Sequence, residues 1–315
     1  MNPIKFSIII PAYKSKFLSE AIKSILEQTY NNFELIIVDD CSPDNLKFII
    51  DQYPDSRIQY YRNEKNCGII DVVDNWNICL SYCTGDYVIC MGDDDMLMPN
   101  TLSEYNQLIQ RFPCVEILHG RAAQIDEYNN IVSILPERAE YESYVSFLYH
   151  RLTFRSQYIG DFCYKVDPLL TRGGFYKLPF AWGTDDISAY MASSQHGIAN
   201  TNKIVFRYRI NGLSISKSGY ENYKIECVDK LYDWIDYSID KIITPHMSSM
   251  TLEDKETFKL IQNIKKNSRE DCKYYTLMDS LKGRYLILLL SFIGIKKINV
   301  SRRIILKVLK ASCGI

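Results

Sequence analysis

The sequence predicts an α/β protein whose first half is a sheet with helices on its faces. Three observations carry this. Short β-branched runs alternate with segments of helical periodicity, the mark of βαβ units. The runs are bounded by Pro, Gly, Asn and Asp, the residues that end strands and start turns. Acidic residues stand directly after two of the runs, where open α/β sheets bind ligands.

The first strand is Phe6 to Ile10, closed by Pro11. Ser15 then caps a helix with the apolar stripe Phe17, Leu18, Ala21, Ile22, Ile25 and Leu26, and Leu35 to Val38 form a second, buried strand. After the turn Ser42-Pro43-Asp44, a helix around Leu46 to Ile50 leads to a third strand at Ile58 to Tyr61. A further helix carries Val72, Val73, Trp76, Cys79 and Leu80 on one face, and Gly85-Asp86 introduces a fourth strand, Tyr87 to Met91. Beyond Pro99 the spacing predicts a helix at Leu102 to Arg111, a strand at Val115 to His119, a turn at Tyr128-Asn129-Asn130 and a helix at Tyr141 to Arg155. Gly173-Gly174 makes a turn ahead of Asp185-Asp186, and Ile204, Phe206, Tyr208 and Ile210 alternate as a strand. Cys227, Leu231, Trp234, Ile235, Ile239 and Ile242 have helical spacing, and the rest of the chain reads as helix. Trp76 and Trp234, both on apolar stripes, are assigned to the core.

Composition narrows the class. With 315 residues, 47% hydrophobic and 24% charged, the chain suits an ordinary globular protein of about two units. From Ser280 onward it carries eight basic residues and no acidic one, which leaves 29 basic against 38 acidic residues before that point. A body so acidic argues against a nucleic-acid partner, and the basic end suggests a separate task. The 10 cysteines follow no disulfide or Cys-x-x-Cys framework and read as reduced thiols of the cytoplasm; the 4 histidines form no zinc spacing with them. Phe6 to Ile10 is too short for a signal peptide, and the longest apolar run, Tyr285 to Ile295, is about half of the ~20 residues of a membrane span.

Asp39-Asp40 closes the second strand and Asp93-Asp94-Asp95 the fourth. Three adjacent carboxylates repel unless solvated or holding a cation, and carboxylate oxygens suit Mg²⁺ or Mn²⁺. An ion there would neutralise a diphosphate leaving group. The same residues also suit an acidic turn ahead of the next helix, and Asp-Cys-Ser-Pro-Asp is itself a good turn. No Gly-x-Gly-x-x-Gly follows the first strand, so phosphates would be neutralised by other means than a dinucleotide loop.

These residues resemble the family 2 glycosyltransferases. The matching pieces are Ser7-Ile8-Ile9-Ile10-Pro11-Ala12-Tyr13, Ser24 to Tyr30, Phe33 to Ser42, Asn66-Cys67-Gly68-Ile69, and Gly85-Asp86-Tyr87-Val88 leading to Asp93-Asp94-Asp95 and Pro99. Looser matches follow at Gly173-Gly174-Phe175, Asp185-Asp186 and Tyr208-Arg209-Ile210-Asn211. The resemblance implies the GT-A fold: a mixed central sheet flanked by helices, here with a helical C-terminal extension. Residues 1–219 would form the catalytic domain, with a nucleotide-binding half at 1–99 and an acceptor-binding half at 100–219, and residues 220–315 the extension. Pro11, Ala12 and Tyr13 would frame the nucleotide base, with the Tyr13 ring stacked on it and Asp40 accepting a hydrogen bond from it. Asp39 would support that loop, Asp93 would lie at the ribose, and Asp94 would bind the metal bridging the diphosphate. Gly92 stands where an Asp is common in the family, so Asp95 is a second metal candidate.

The resemblance further implies an inverting transfer from a nucleotide sugar, a UDP-sugar, to a hydroxyl of a saccharide or lipid-linked acceptor in surface polysaccharide synthesis. Its general base would be Asp186, with Asp185 as the alternative, since the first acid of the pair is Asp here where Glu is commoner in the family; the pair would also suit a cap of the following helix. Trp182 would stack on an acceptor sugar, and Arg207 and Arg209 would steady a diphosphate or an acidic acceptor. A nucleotidyltransferase would want a Gly- and Lys-rich phosphate loop where Ala12-Tyr13-Lys14-Ser15 stands. A non-catalytic nucleotide-sugar-binding module would not need the acids. In the tail, Val300, Ile304, Ile305, Val308 and Leu309 fall on one half of a helical wheel and Arg302, Arg303, Lys307 and Lys310 on the other. That pattern predicts peripheral contact of residues 283–315 with the inner face of a membrane, or packing on the domain with a solvated basic face.

Overall fold

The computed structural model describes residues 3–211 and 220–281 together with residues 304 and 307. β1 (Phe6–Ala12) pairs in parallel with β2 (Phe33–Asp39) and with β4 (Tyr87–Cys90), and β2 pairs in parallel with β3 (Ile58–Arg62). The helices α1 (Leu18–Leu26), α2 (Leu46–Ile50) and α3 (Val72–Ser81) make the crossovers. Alternation along the strands divides the core between the two sheet faces. Ile8 and Ile10 of β1 and Leu35 and Ile37 of β2 face α1, α2 and α4 (Thr101–Arg111). Ile9, Ile36 and Val38 face the other way, onto the layer that holds α3. Each such side chain stabilises the fold by about 1.5–3 kcal/mol through burial.

The second half completes one mixed sheet. Its elements are β5 (Met96–Leu97), β6 (Ile117–Ile125), β7 (Ile131–Ile134), β8 (Tyr141–Glu142), α5 (Tyr144–Leu152), β9 (Phe162–Lys165), α6 (Val166–Thr171), α7 (Thr184–Ser193) and β10 (Ile198–Arg209). Strand order is β3-β2-β1-β4-β9-β6-β10-β5, with β7 on β6 and β8 on β10. β9 runs antiparallel to both β4 and β6, and this insertion makes the sheet mixed. The mixed sheet flanked by helices is the expected fold.

Two local expectations change, and one strand was not foreseen. The helix expected from Tyr141 starts at Tyr144, because Ser143 accepts the Ser146 N–H at 3.1 Å while Tyr141 and Glu142 bond to β10. Ser15 does not cap α1; its hydroxyl and N–H both go to Asp44, and α1 begins at Leu18 without a side-chain cap. β9 had no signal, since Phe-Cys-Tyr-Lys is too short to show a period.

The extension is α8 (Glu221–Ser238), continued through a π-helical turn (Ile239–Ile243) and the short α9 (Thr244–His246) to α10 (Leu252–Leu281). Leu231, Ile235, Ile239 and Ile261 join Phe147 of α5 and Ile187 of α7 in one core, so the extension shares the apolar layer of the sheet domain. Trp234 stacks on Tyr190 at 5.7 Å and Trp76 meets Phe175 edge-on at 5.9 Å, both partly buried against that core. Among the described residues, all nine cysteines are free thiols and no helix is long and apolar enough to cross a membrane. The apolar run Tyr285 to Ile295 and most of the amphipathic tail lie outside the described residues. Of the tail, Ile304 is buried and Lys307 bonds Asp271 of α10 at 2.7 Å.

Candidate active site

Parallel pairing brings the predicted residues to one edge of the sheet. Ala12 is opposite Asp39 and Ile9 opposite Cys90, so Tyr13, Asp40 and the acidic run after β4 emerge at adjacent carboxyl ends. Ala12 is fully buried, Pro11 half-buried, and the Tyr13 ring is 45% exposed, an unusual state for a large aromatic beside a core strand. It offers a free face for stacking.

Asp39 and Asp40 turn in different directions. Asp39 is fully buried and accepts hydrogen bonds from Ser42 N at 2.7 Å, from the Tyr60 hydroxyl at 2.8 Å and from the Arg62 guanidinium. It fixes the loop. Asp40 Oδ1 accepts from Asn63 Nδ2 at 2.8 Å and Cys67 N at 2.9 Å, Oδ2 has a longer 3.2 Å contact with Cys67 N, and the Cys67 thiol also bonds the carboxylate. Gly68 takes a φ of 84°, which lets the Asn66-Cys67-Gly68 turn fold over Asp40. Oδ2 is therefore the oxygen with capacity for a further donor.

The three consecutive carboxylates have three surroundings. Asp93 is buried, and its Oδ2 accepts the backbone N–H groups of Tyr13 at 2.8 Å and Lys14 at 2.7 Å, stapling the end of β1 to the end of β4. Burial pushes its pKa up, against the pull of the Lys14 charge and with the push of Asp94. Asp95 is also buried and accepts the Arg209 N–H at 2.9 Å, and desolvation followed by the Asp94 charge pushes its pKa well up. Asp94 alone is partly exposed; its Oδ2 accepts from Lys14 Nζ at 3.0 Å and Asn211 Nδ2 at 2.7 Å.

Gly92 explains how the acids fit. A Cβ there would sit 2.8 Å from Asp94 Oδ1 and 3.0 Å from Asp95 Oδ2, so both oxygens fold over a residue with no side chain. Among the described residues no donor bonds either oxygen, and no three acidic, His or Cys side chains form an all-protein metal cage. Two convergent carboxylate oxygens fit a hard divalent ion whose remaining ligands are phosphate oxygens and water.

The second acidic pair sits at the start of α7. The approach is strained: Phe180 and Ala181 have φ of 59° and 53°, and Gly183, at 88°, occupies the cap position. Asp186 is buried and held by three side-chain hydrogen bonds. Its carboxylate accepts Arg151 Nε at 2.5 Å and Nη2 at 3.0 Å, and Gln157 Nε2 at 2.7 Å. Asp185 is partly exposed and has no side-chain donor among the described residues. Burial and then the Asp186 charge push its pKa from 3.8 to about 7, against the opposing pull of Arg151. The expected base was Asp186; Asp185 is the member held only by backbone N–H groups of its own helix start, with no side-chain donor among the described residues, and its proton affinity suits neutral pH.

Arg209, expected at the acceptor, is employed inside instead. It is 1% exposed, donates to the Asp94 carbonyl at 2.7 Å, the Asp126 carbonyl at 3.2 Å and Glu20 at 3.0 Å, and lies 4.1 Å from the centre of the Phe17 ring. Arg207 is half-buried, and its Nε is a buried donor without a partner among the described residues. Trp182 is half-buried against the core with Lys224 Nζ 5.0 Å from its ring centre, so one face is covered. Sequence reasoning missed Lys14, Arg151 and Gln157. Lys14 had the signal of following Tyr13 directly; Arg151 and Gln157 had none, because their role depends on how α5 packs beside α7.

Comparison with known proteins bears on the same residues. Residues 7–165 match the family described as Glycosyl transferase family 2. The chain is 26% identical over 247 residues to the Escherichia coli UDP-Glc:alpha-D-GlcNAc-diphosphoundecaprenol beta-1,3-glucosyltransferase WfgD, covering 77% of this chain and 91% of that one. It is 33% identical over 107 residues to the glycosyltransferase GlyG of Streptococcus pneumoniae, 33% of this chain and 35% of that one. The fold is similar to that of Staphylococcus aureus TarS residues 1–349, solved with UDP-GlcNAc, at a TM-score of 0.60 and 18% identity over 89% of each chain.

Proposed function

The chain belongs to glycosyl transferase family 2, and from that membership we propose an inverting transfer of a sugar from a UDP-sugar to a hydroxyl of a saccharide or lipid-linked acceptor, in the synthesis of a surface polysaccharide. One observation supports this most: the open Tyr13 ring, the spare oxygen of Asp40 and the outward carboxylate of Asp94 share one sheet edge. WfgD, similar over most of both chains, acts by its name on a diphosphoundecaprenol-linked sugar, and the fold relative TarS binds UDP-GlcNAc.

In this reading Pro11 and Ala12 form the floor of the base site, the Tyr13 ring stacks on uracil and Asp40 Oδ2 accepts its N–H. Asp93, through Oδ1, faces the ribose. Asp94, with Asp95 beside it, would hold Mn²⁺ or Mg²⁺, which when bound neutralises charge on the departing diphosphate. Arg207 directs its unpartnered Nε to an anionic group of donor or acceptor. Asp185 accepts the acceptor hydroxyl proton as the oxygen attacks the anomeric carbon from the face opposite the diphosphate. Asp186, clamped by Arg151 and Gln157, fixes the start of α7 and raises the proton affinity of Asp185. Trp182 borders the acceptor with its uncovered face. The enzyme works in the cytoplasm or at the inner face of the membrane, where such acceptors present their sugars.

Thermal unfolding with a panel of nucleotide sugars tests the reading. UDP-sugars with Mn²⁺ should stabilise the protein, and one of them should be hydrolysed slowly without acceptor. Stabilisation by a GDP- or CMP-sugar alone would overturn the UDP assignment, and no response to any nucleotide sugar would overturn the catalytic one.

A further inference from the structure

Lys14 has a place in the site that the functional reading does not use. Its ammonium lies 3.0 Å from Asp94 Oδ2 and 3.5 Å from Asp93 Oδ1, bridging the two carboxylates proposed for metal and ribose. Its backbone N–H is held separately by Asp93 Oδ2 at 2.7 Å, so the main chain at this residue is fixed independently of the side chain. The side chain is 31% exposed, which leaves it room to swing. Asp94 Oδ2 is occupied by Lys14 and Asn211, whereas Oδ1 turns over Gly92 toward Asp95.

A cation placed beside a carboxylate lowers the attraction of that carboxylate for a second cation, and a polyanion nearby reverses the effect. We infer that Lys14 couples the two halves of donor binding: its ammonium holds the Asp93–Asp94 pair while the site is empty, and swings to the donor diphosphate, freeing Asp94 for the metal. The inference rests on the UDP-sugar reading above. It makes Lys14 a coupling residue, whose removal changes how strongly metal and nucleotide promote each other's binding. Such couplings are typically about 5–150-fold.

The test measures Mn²⁺ binding by the paramagnetic resonance of the free ion, with and without UDP, and UDP binding by calorimetry, with and without Mn²⁺. The wild type, Lys14→Gln and Lys14→Arg are compared. Lys14→Gln should bind Mn²⁺ alone roughly tenfold more tightly, bind UDP alone roughly tenfold more weakly, and show a correspondingly smaller mutual enhancement. Lys14→Arg, which keeps the charge, should restore most of the wild-type enhancement. An unchanged enhancement in Lys14→Gln, with the wild type binding both UDP and Mn²⁺, would overturn the coupling while leaving the transferase reading intact. A wild type that binds UDP equally with and without Mn²⁺ would also overturn it, and one that binds no UDP would remove the functional reading on which it stands. Unfolding midpoints without ligand, expected to match for the wild type and Lys14→Arg and to fall modestly for Lys14→Gln as the Asp93–Asp94 pair loses its cation, separate these effects from a damaged fold.

Discussion

Replacing Asp185 with Asn should make the protein more stable and much less active. The pKa of Asp185 rises from 3.8 to about 7, by burial first and the Asp186 charge second. A raised acid pKa means that the folded state keeps its proton after the unfolded chain has released it. Below about pH 4 both states are protonated and the group is neutral to stability. As pH rises from about 4 to about 7 the folded state loses ground, and above that the full cost of the buried charge applies. Roughly three pKa units at 1.36 kcal/mol each set this cost at about 4 kcal/mol at most. Asn carries no charge and can occupy the same helix-start site. Urea unfolding at pH 8 should therefore show Asp185→Asn gaining up to about 4 kcal/mol, with the gain vanishing near pH 4. Transfer should fall about 10²–10⁴-fold, and the rise of wild-type activity through pH 7 should be absent from the variant.

Asp186→Asn is the control that makes this decisive. It removes the charge that Arg151 and Gln157 hold, leaving a partly exposed guanidinium unpaired. The expected cost is roughly 1–3 kcal/mol, below the 3–5 of a fully buried pair because Arg151 is 27% exposed. Transfer per folded molecule should fall less than in Asp185→Asn. If instead Asp186→Asn loses 10²–10⁴-fold in rate without losing stability while Asp185→Asn stays active, the base is Asp186 and the reasoning from side-chain donors fails.

The other expectations concern the metal, the sheet and the tail. Asp94→Ala should leave the unfolding midpoint unchanged and abolish the Mn²⁺ dependence of UDP binding in calorimetry; a retained dependence would move the ion to other residues. At the opposite end of the sheet, burial would raise the Glu34 pKa, yet hydrogen bonds from Lys5, Ser7 and Thr84 outweigh it and lower the value from 4.5 to about 2. That stability is present above about pH 4.5 and lost as pH falls toward 2, so Glu34→Gln should flatten the acid limb of a stability curve between those values. In flotation with anionic liposomes at low salt, the full chain should rise with the lipid and a chain ending at Asp279 should not; a full chain that stays soluble would leave packing on the domain as the role of the tail.

The parts of this site that the sequence made legible are those fixed by strand order. Tyr13, Asp40 and Asp93 follow apolar strands that pair in parallel, and in such a sheet the residues after the strands must gather at one edge. What was not legible depends on side-chain direction. Asp185 and Asp186 are neighbours at a helix start, about 100° apart around its axis, and only the packing of α5 decides which one meets Arg151. Arg209 looked like a strand-end cation available to a ligand, but β10 lies beside β5, and the guanidinium falls between the Asp94 carbonyl and Phe17. β9 left no period to read, although it separates β4 from β6 and so shapes the half of the sheet that would receive an acceptor.

The acids of the site are held at a cost, and the cost points to what binds there. Asp93, Asp95 and Asp185 all have pKa values raised chiefly by burial, which means that their ionised forms are disfavoured by the fold itself. Two backbone N–H groups on Asp93 and one on Asp95 recover part of this, and the Lys14 ammonium is the one cation bonded to the Asp93–Asp94 pair among the described residues. A fold selected only for stability would replace such acids with amides or apolar groups. They persist where a cation or a proton from a ligand relieves them. For Asp94 and Asp95 the relief fits a divalent ion with its diphosphate, and for Asp185 the proton of an acceptor hydroxyl. Saturating ligand should therefore stabilise this protein more at a pH where the carboxylates are ionised than at a lower pH where the folded state keeps their protons.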